Sequence, residues 1–124
     1  MGGDTTQDTD GNIGLTADTD LSVSSGVTVS NNDAGAAGDA GSISVSAGRS
    51  ITLNSSSVVD TDAGSLTLNA NTVGTFPGTF DGITANQATV QTQSGDLSLT
   101  GIGGATQGHG VNLTAATLAS GSGT

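Results

Sequence analysis

The chain has 124 residues and is dominated by small ones, with 21 Gly, 20 Thr and 16 Ser. A single Arg stands against 11 Asp, and the net charge of −10 excludes the Lys- and Arg-rich surface through which proteins bind nucleic acids or anionic membranes. Without Cys and without an apolar run of the roughly 18 residues that a membrane span needs, disulfides, thiolate metal sites and membrane insertion are not expected.

Four segments open with glycine and then alternate aliphatic with small residues. They are GNIGLTA from Gly11, GSISVSA from Gly41, GSLTLNA from Gly64 and GDLSLTG from Gly95. Each places two aliphatic residues two positions apart, which is the period of a β-strand with one buried face and does not fit a helix. The lack of Glu and Lys agrees, because these are strong helix formers.

Further alternating segments follow these strands after short corners. Second strands are predicted at DLSVS from Asp20, SITLN from Ser50 and VNLTA from Val111, and third strands at VTVS from Val27, SVVD from Ser57, ATVQT from Ala88 and TLAS from Thr117. One repeat is therefore three strands and three corners, seen without interruption in residues 41–63. Three strands per turn with inward alternation predict an all-β fold, a parallel β-helix or solenoid of about four coils.

The domain prediction is one solenoid segment over residues 1–124. Its coils start near residues 11, 41, 64 and 95, and corner insertions occupy 31–40, 72–82 and 101–110. The 72–82 insertion is expected to interrupt the second strand of the third repeat. Insertions at corners change only loop backbone, so the stack of strands continues past them. With two inward aliphatics on each strand, nearly every large apolar residue is assigned to the core.

Glycine and aspartate are both expected at the corners. The glycine that opens each repeat is assigned a positive φ, which glycine adopts without steric cost. Three copies of Asp-Thr-Asp are interpreted as turn residues whose short carboxylates accept hydrogen bonds from corner amides. The copies are Asp8/Asp10, Asp18/Asp20 and Asp60/Asp62. The alternative for these carboxylates is calcium, which prefers oxygen ligands, and the candidate ligands are Asp8, Asp10, Asp60 and Asp62.

Catalysis is not expected of this chain. A polysaccharide lyase or glycosidase would need paired carboxylates, but there is no Trp or Tyr on which a sugar ring would stack. His109 is the only imidazole and is interpreted as a loop residue. Arg49 is expected to pair with an Asp of an adjacent coil. The outward files of Ser, Thr and Asn leave ice binding as a lesser alternative, although the files are mixed.

The repeats carry a family resemblance. The phrases GNIGLTADTDLSVSSG, GSISVSAGRSITLNSSS and GSLTLNANT are similar to the repeats of filamentous-haemagglutinin-like exoproteins, the adhesins exported by two-partner secretion. The similarity extends from Gly11 to about Ser120. It implies a right-handed β-helix, a secreted or bacterial cell-surface location, and a role in adhesion, in biofilms or as a toxin stalk.

The expected function is structural. Neither 1–10 nor 117–124 looks like an amphipathic cap, so both ends are interpreted as the middle of a solenoid. We therefore expect an extracellular adhesin shaft or surface filament whose partners are copies of itself, head to tail, or neighbouring solenoid coils. The alternative is a module that binds a glycan, or a host or abiotic surface, through its corner loops. Phe76 and Phe80 are the ligand-binding residues in that alternative.

Overall fold

The computed structural model describes residues 2–3, 5–6, 11–31, 40–74 and 76–121, which form short strands joined by turns. The strands are β1 (Thr5–Thr6), β2 (Ile13–Ala17), β3 (Asp20–Val23), β4 (Thr28–Asn31), β5 (Ile43–Ala47), β6 (Ser50–Leu53), β7 (Val58–Thr61), β8 (Leu66–Ala70), β9 (Ile83–Asn86), β10 (Thr89–Thr92), β11 (Leu97–Gly101), β12 (Val111–Thr114) and β13 (Thr117–Ser120). Each strand ends where the alternation of the sequence gives way to a corner.

The strands stack in three parallel sheets. Sheet A has the order β1-β4-β7-β10-β13, sheet B the order β11-β8-β5-β2, and sheet C the order β12-β9-β6-β3. Because each strand pairs with the strand three further along the chain, the backbone passes through the sheets in the repeating order B, C, A. The result is a β-solenoid of about three turns, and the predicted all-β class and parallel stacking are confirmed.

The core consists of files of aliphatic residues that run along the solenoid. In sheet B, Ile43 lies beside Leu66 in the next strand, and both are almost fully buried. In sheet C, Val23 lies beside Leu53, and both are fully buried. Burying such a side chain contributes about 1.5–3 kcal/mol, so each file is a continuous source of stability.

Sheet A departs from the expected two inward aliphatics per strand. One inward file is valine in β4, β7 and β10, but the other is polar and consists of Asn31, Thr61, Thr92 and Ser120. Buried hydroxyls need acceptors. Thr61 Oγ1 donates to the Gly64 carbonyl at 2.8 Å, and Thr92 Oγ1 donates to the Gly95 carbonyl at 2.5 Å. These threonines tie the end of sheet A to the glycine that opens the next coil.

The opening glycines Gly41, Gly64 and Gly95 do not have positive φ, so that expectation is wrong. Their constraint is the close approach of successive coils. A Cβ atom on Gly64 would lie closer than 3.0 Å to the Gly41 carbonyl oxygen, and one on Gly95 would meet the Gly64 carbonyl oxygen in the same way. Only a residue without a side chain fits at this corner.

Positive φ occurs at a different corner, between sheets C and A. Each passage through it has one such residue, and the four are Gly26, Ser56, Gln87 and Ala115. Only the first of them is glycine. The left-handed conformation costs other residues about 1–2 kcal/mol each, which the surrounding interlayer hydrogen bonds must offset. Two of those bonds run from Ser56 N–H to the Gln87 carbonyl (3.0 Å) and from Gln87 N–H to the Thr114 carbonyl (2.8 Å).

Two further expectations are corrected. The 72–82 insertion precedes β9, which pairs in full length with β12, so it does not interrupt the second strand of the third repeat. Asp60 is not a turn residue, because it lies within β7 and is 9% exposed. Asp20 is likewise the first residue of β3, whereas Asp18 and Asp62 do lie at bends. Residues 32–39 of the first predicted insertion lie outside the described residues.

Candidate functional site

The segments predicted as insertions 72–82 and 101–110 lie side by side where the chain passes from sheet B to sheet C. We call residues 71–74, 76–82 and 102–110 the corner lobe. The backbone N–H of Gly104 donates to the Phe80 carbonyl at 2.8 Å, and that of Thr106 donates to the Gly78 carbonyl at 3.2 Å. Thr79 also forms a parallel bridge with Gln107. The two segments therefore hold each other through their main chains.

Hydrogen bonds at the base fix the lobe to the sheets. Asn71 Nδ2 donates to the Ile102 carbonyl at 3.1 Å, and the Gly82 N–H donates to the His109 carbonyl at 2.9 Å. Asn71 has a φ of 49°, which turns the chain out of β8. Asparagine tolerates this conformation better than most residues, because its short side chain hydrogen-bonds locally. These contacts hold the base of the lobe against the sheets.

Asp81 is the acceptor on which the two segments converge. Its Oδ1 accepts a hydrogen bond from the His109 backbone N–H (2.7 Å) and lies 3.0 Å from His109 Nδ1. Its Oδ2 accepts from Asn112 Nδ2 at 2.7 Å. These donors favour the carboxylate, so they hold the pKa of Asp81 below its ordinary value, with the His109 backbone N–H contributing most. The Asp81 carbonyl also accepts from Ser50 Oγ at 3.0 Å, which links the lobe to β6.

Arg49 connects the lobe to the strand at the opposite end of sheet C. Its guanidinium forms an ion pair with Asp20, in which Nε donates to Oδ1 at 2.8 Å. The hydrogen bond from Arg49 is the largest cause of a lowered pKa at Asp20. The Arg49 Cζ also lies 5.8 Å from the centroid of the Phe80 ring. The expected pairing of Arg49 with an Asp of an adjacent coil is confirmed, and its exposure means that it contributes little to stability.

Phe76 and Phe80, the predicted ligand-binding residues, are half-buried and lie against the solenoid. A Cβ atom on Gly48 would lie 3.3 Å from the Phe76 ring, so this ring packs close to the turn between β5 and β6. The exposed aliphatic side chains of the lobe are instead Val73, which is 78% exposed, and Ile102, which is 41% exposed. Sequence reasoning missed both because a single aliphatic residue in a loop has no periodicity to mark it.

The predicted calcium ligands are only partly within the described residues. Asp8 and Asp10 lie outside them. Asp60 lies in β7 and Asp62 at the bend that follows. In the part of the chain that the structure describes, no group of three or more His, Cys, Asp or Glu side chains is placed to hold a metal ion. The calcium site stays a prediction.

Strands β12 and β13 expose aliphatic residues at positions that are buried in the preceding strands. The exposed residues are Val111 (37%), Leu113 (45%) and Leu118 (38%). Their register partners one strand earlier are fully buried and are Ile83, Ala85 and Val90. At the opposite end, β2 and β3 line a depression that includes the half-buried Leu15 and Leu21. Over the described ranges, we call these two apolar cross-sections the end faces.

No family model, no curated protein and no solved structure matches this chain. The described residues contain no helix long and apolar enough to cross a membrane. The candidate functional features of the described residues are the corner lobe, the hydrogen-bond network at Asp81, and the two end faces.

Proposed function

We propose that the chain is a structural segment of an extracellular bacterial β-solenoid, the shaft of an adhesin or a surface filament. Its winding is proposed to be right-handed, with about four coils, in keeping with the four strands in each of sheets B and C. The observation that carries the proposal is the exposure of core files in the last strands, where Val111, Leu113 and Leu118 are 37–45% exposed.

A further layer in register would complete these files. Each square ångström of apolar surface removed from water contributes about 25 cal/mol. Among the described residues, β11, β12 and β13 are the edge strands of their sheets, and an edge strand offers backbone groups to another strand. In repeat proteins stability comes mainly from the interfaces between neighbouring units. A layer supplied by a second copy, or by neighbouring solenoid coils, would therefore bury the apolar residues of the end face and also form backbone hydrogen bonds with its strands.

Charge and composition support an extracellular role. The net charge of −10 favours solubility of an exposed rod, and one Arg with no Lys leaves a trypsin-like protease a single site, at Arg49. That site lies in a turn held by the Asp20 ion pair and packed beside the Phe80 ring. A surface protein exposed to proteases benefits from both properties.

Head-to-tail joining places β11 and β12 of one copy beside β2 and β3 of the next, so that sheets B and C continue. Sheet A is different, because β1 already pairs with β4 at the N-terminal end face. In the joined sheet A, β13 of one copy would pair with β4 of the next. This pairing requires that β1 first separates from β4.

Electron microscopy and light scattering of the purified chain test this joining. We expect concentration-dependent end-joined particles or filaments from the wild type and none from Leu113→Asp, which puts a charge in the end face. Val73→Asp is the matched control, since Val73 is exposed but lies in the corner lobe. A wild type that stays monomeric at every concentration, or equal assembly of the two variants, would contradict end joining. Immunogold label confined to the cytoplasm of the source cells would contradict the extracellular role.

A second candidate function is binding of a glycan or of a host or abiotic surface through the corner lobe. The observation that favours it is the 78% exposure of Val73 together with the 41% exposed Ile102, whose Cδ1 would lie 3.9 Å from a Cβ atom on the neighbouring Gly74. Phe76 and Phe80 are half-buried and are therefore less accessible to a ligand than these two aliphatic residues. Glycan arrays with a Val73→Ser/Ile102→Ser variant provide the test, with Thr72→Ser as the control. Binding that this double variant abolishes would favour the module, and no binding by the wild type would argue against it.

A further inference from the structure

We propose that the corner lobe forms an intramolecular ester between the side chains of Thr79 and Gln107, promoted by His109 and Asp81. The proposal does not depend on the proposed function. Thr79 and Gln107 are bridge partners in the two segments of the lobe, and both are exposed. The backbone positions that carry a hydroxyl and a side-chain amide are thus paired on neighbouring turns of the solenoid.

A hydrogen-bonded acid–base pair lies two positions further along the same two segments. His109 Nδ1 and Asp81 Oδ1 are 3.0 Å apart. Positions two apart in an extended segment share a face, so the bridge places Thr79 and Gln107 on the same side of the lobe as Asp81 and His109. One surface therefore carries a nucleophile, an acyl group, a base and a carboxylate.

The contacts of Asp81 fix which ring nitrogen of His109 is basic. Asp81 Oδ1 accepts from the His109 backbone N–H, and Oδ2 accepts from Asn112 Nδ2, so the carboxylate is held on both sides. With Nδ1–H donated to Asp81, Nε2 carries the lone pair. Hydrogen bonding of this kind orients a histidine as general base for a hydroxyl nucleophile. Asp81 is thus a positioning residue, and it leaves Nε2 at the far side of a ring that is 73% exposed.

The reaction balances without any further reactant. Thr79 Oγ adds to Gln107 Cδ as His109 Nε2 takes the hydroxyl proton. The bond from Cδ to the amide nitrogen of Gln107 then breaks, the proton passes to that nitrogen, and ammonia leaves. An ester replaces one hydroxyl and one amide. An amide is a poor acyl donor, but intramolecular groups whose reacting atoms approach to about 3–3.5 Å react with effective concentrations of up to about 10⁵–10⁸ M.

Such an ester would join two turns of the solenoid covalently at the corner lobe. The linked residues are separated by 28 positions, so the bond closes a loop of the size at which cross-links restrict the unfolded chain strongly. The ester would covalently join the segment between β8 and β9 to the segment between β11 and β12, which are otherwise held together by a few hydrogen bonds.

Intact mass spectrometry of the folded chain tests the proposal. Loss of ammonia makes the wild type about 17 Da lighter than its sequence. Thr79→Ala and Gln107→Ala are expected to keep the full mass, whereas Thr79→Ser retains the loss. The control variants Thr72→Ala and Gln93→Ala, exposed residues outside the bridge, should also retain it. A wild type of full mass after prolonged incubation, or a loss that survives in Gln107→Ala, would overturn the proposal.

Digestion before aspartate locates the bond. Cleavage at Asp62, Asp81 and Asp96 separates Thr79, in fragment 62–80, from Gln107, in fragment 96–124. We expect these fragments to travel as one species that hydroxylamine splits, since hydroxylamine attacks esters and the chain has no Asn-Gly bond to confuse the result. Separate fragments before hydroxylamine treatment would count against the ester.

The role of His109 has its own readout. His109→Ala is expected to form the same product about 10²–10⁴-fold more slowly, which is the usual contribution of a general base. Added imidazole should restore part of the rate, which it would not do for a variant that has only lost packing. Circular dichroism confirms that each variant is folded. An unchanged rate in His109→Ala would remove His109 and Asp81 from the proposal.

Discussion

At Gly64 the backbone of one coil rests directly on the Gly41 carbonyl of the coil before it. The glycine is required there by the distance between coils, while the left-handed corner accepts Ser56, Gln87 and Ala115. A sequence marks both kinds of glycine with the same letter. It therefore indicates where the chain turns, but not whether the turn or the neighbouring coil excludes a side chain.

Substitution at this contact separates the two explanations. Gly64→Ala is expected to lower the free energy of unfolding by about 1–3 kcal/mol or more, because its Cβ would overlap the Gly41 carbonyl and push two coils apart. The matched control is Gly14→Ala, where no atom lies within 4 Å of the added Cβ. Alanine there should be neutral or gain up to about 1 kcal/mol, since glycine weakens a strand. Urea unfolding measures both, and equal effects would contradict the close-approach account.

The alternation of aliphatic and small residues predicted most of the core, but it did not predict the inward file of polar residues in sheet A. Ile43, Leu66 and their equivalents are apolar at every second position, so their burial follows from the period. Thr61 and Thr92 are buried as well, because each donates to a carbonyl three residues ahead. A buried and an exposed threonine look alike in a strand pattern. What distinguishes them is an acceptor that only the folded corner provides.

At the scale of elements, the corner lobe was only partly foreseeable. Both of its segments interrupt the alternation and are rich in Gly, and the first also contains Pro77, so their position as insertions could be inferred from the sequence. Their mutual pairing could not, because Asp81 meets His109 and Asn112 from 28 and 31 residues away. Such a network has no local signature, and His109 accordingly looked like an ordinary loop residue.

Acid is expected to loosen the lobe. The folded pKa of Asp81 is lowered from 3.8 by the donors that surround its carboxylate. A carboxyl group with a depressed folded pKa contributes stability above its unfolded pKa, and that contribution is lost as the pH falls through the folded value. Asp81→Asn removes this part of the pH dependence. The stability difference between neutral pH and about pH 3 should therefore be smaller in the variant than in the wild type.

Urea unfolding at the two pH values measures this difference. Asp18→Asn is the control, because it removes the same carboxylate charge from an exposed bend residue that lies outside the network. Asp20, whose pKa is also lowered, acts in the same direction, so Asp81→Asn is expected to remove only part of the acid sensitivity. An acid response identical in Asp81→Asn and the wild type would show that the Asp81 network does not contribute.

At the scale of the whole molecule, the repeated period predicted the solenoid because each coil imposes its register on the next. Four glycine-led segments specify strands that lie beside one another in sheet B, and this alone requires parallel pairing. The second strand of the third repeat escaped prediction because β9 has only Ile83 as a large aliphatic. It forms because β6 and β12 lie on either side of it.

If each interface between neighbouring coils contributes separately to stability, adding a coil should raise the free energy of unfolding of the solenoid. Residues 41–63 form a complete repeat of 23 residues, and a second copy inserted between Ala63 and Gly64 preserves the order of sheets B, C and A. In the inserted copy, the residue equivalent to Arg49 is changed to Thr. Thr is the residue at the equivalent position of the first coil, Thr19, and the change keeps two guanidinium groups from lying side by side.

The lengthened chain gains one interlayer interface without a new end face, so its free energy of unfolding should rise. The urea m-value should rise by roughly a fifth, in proportion to the surface that unfolding exposes. The matched control inserts the same residues in scrambled order, which keeps the composition but destroys the alternation and should destabilise the fold. A repeat insertion that behaves like the scrambled one would mean that stability depends on the native set of coils and their lobe, and not on stacking as such.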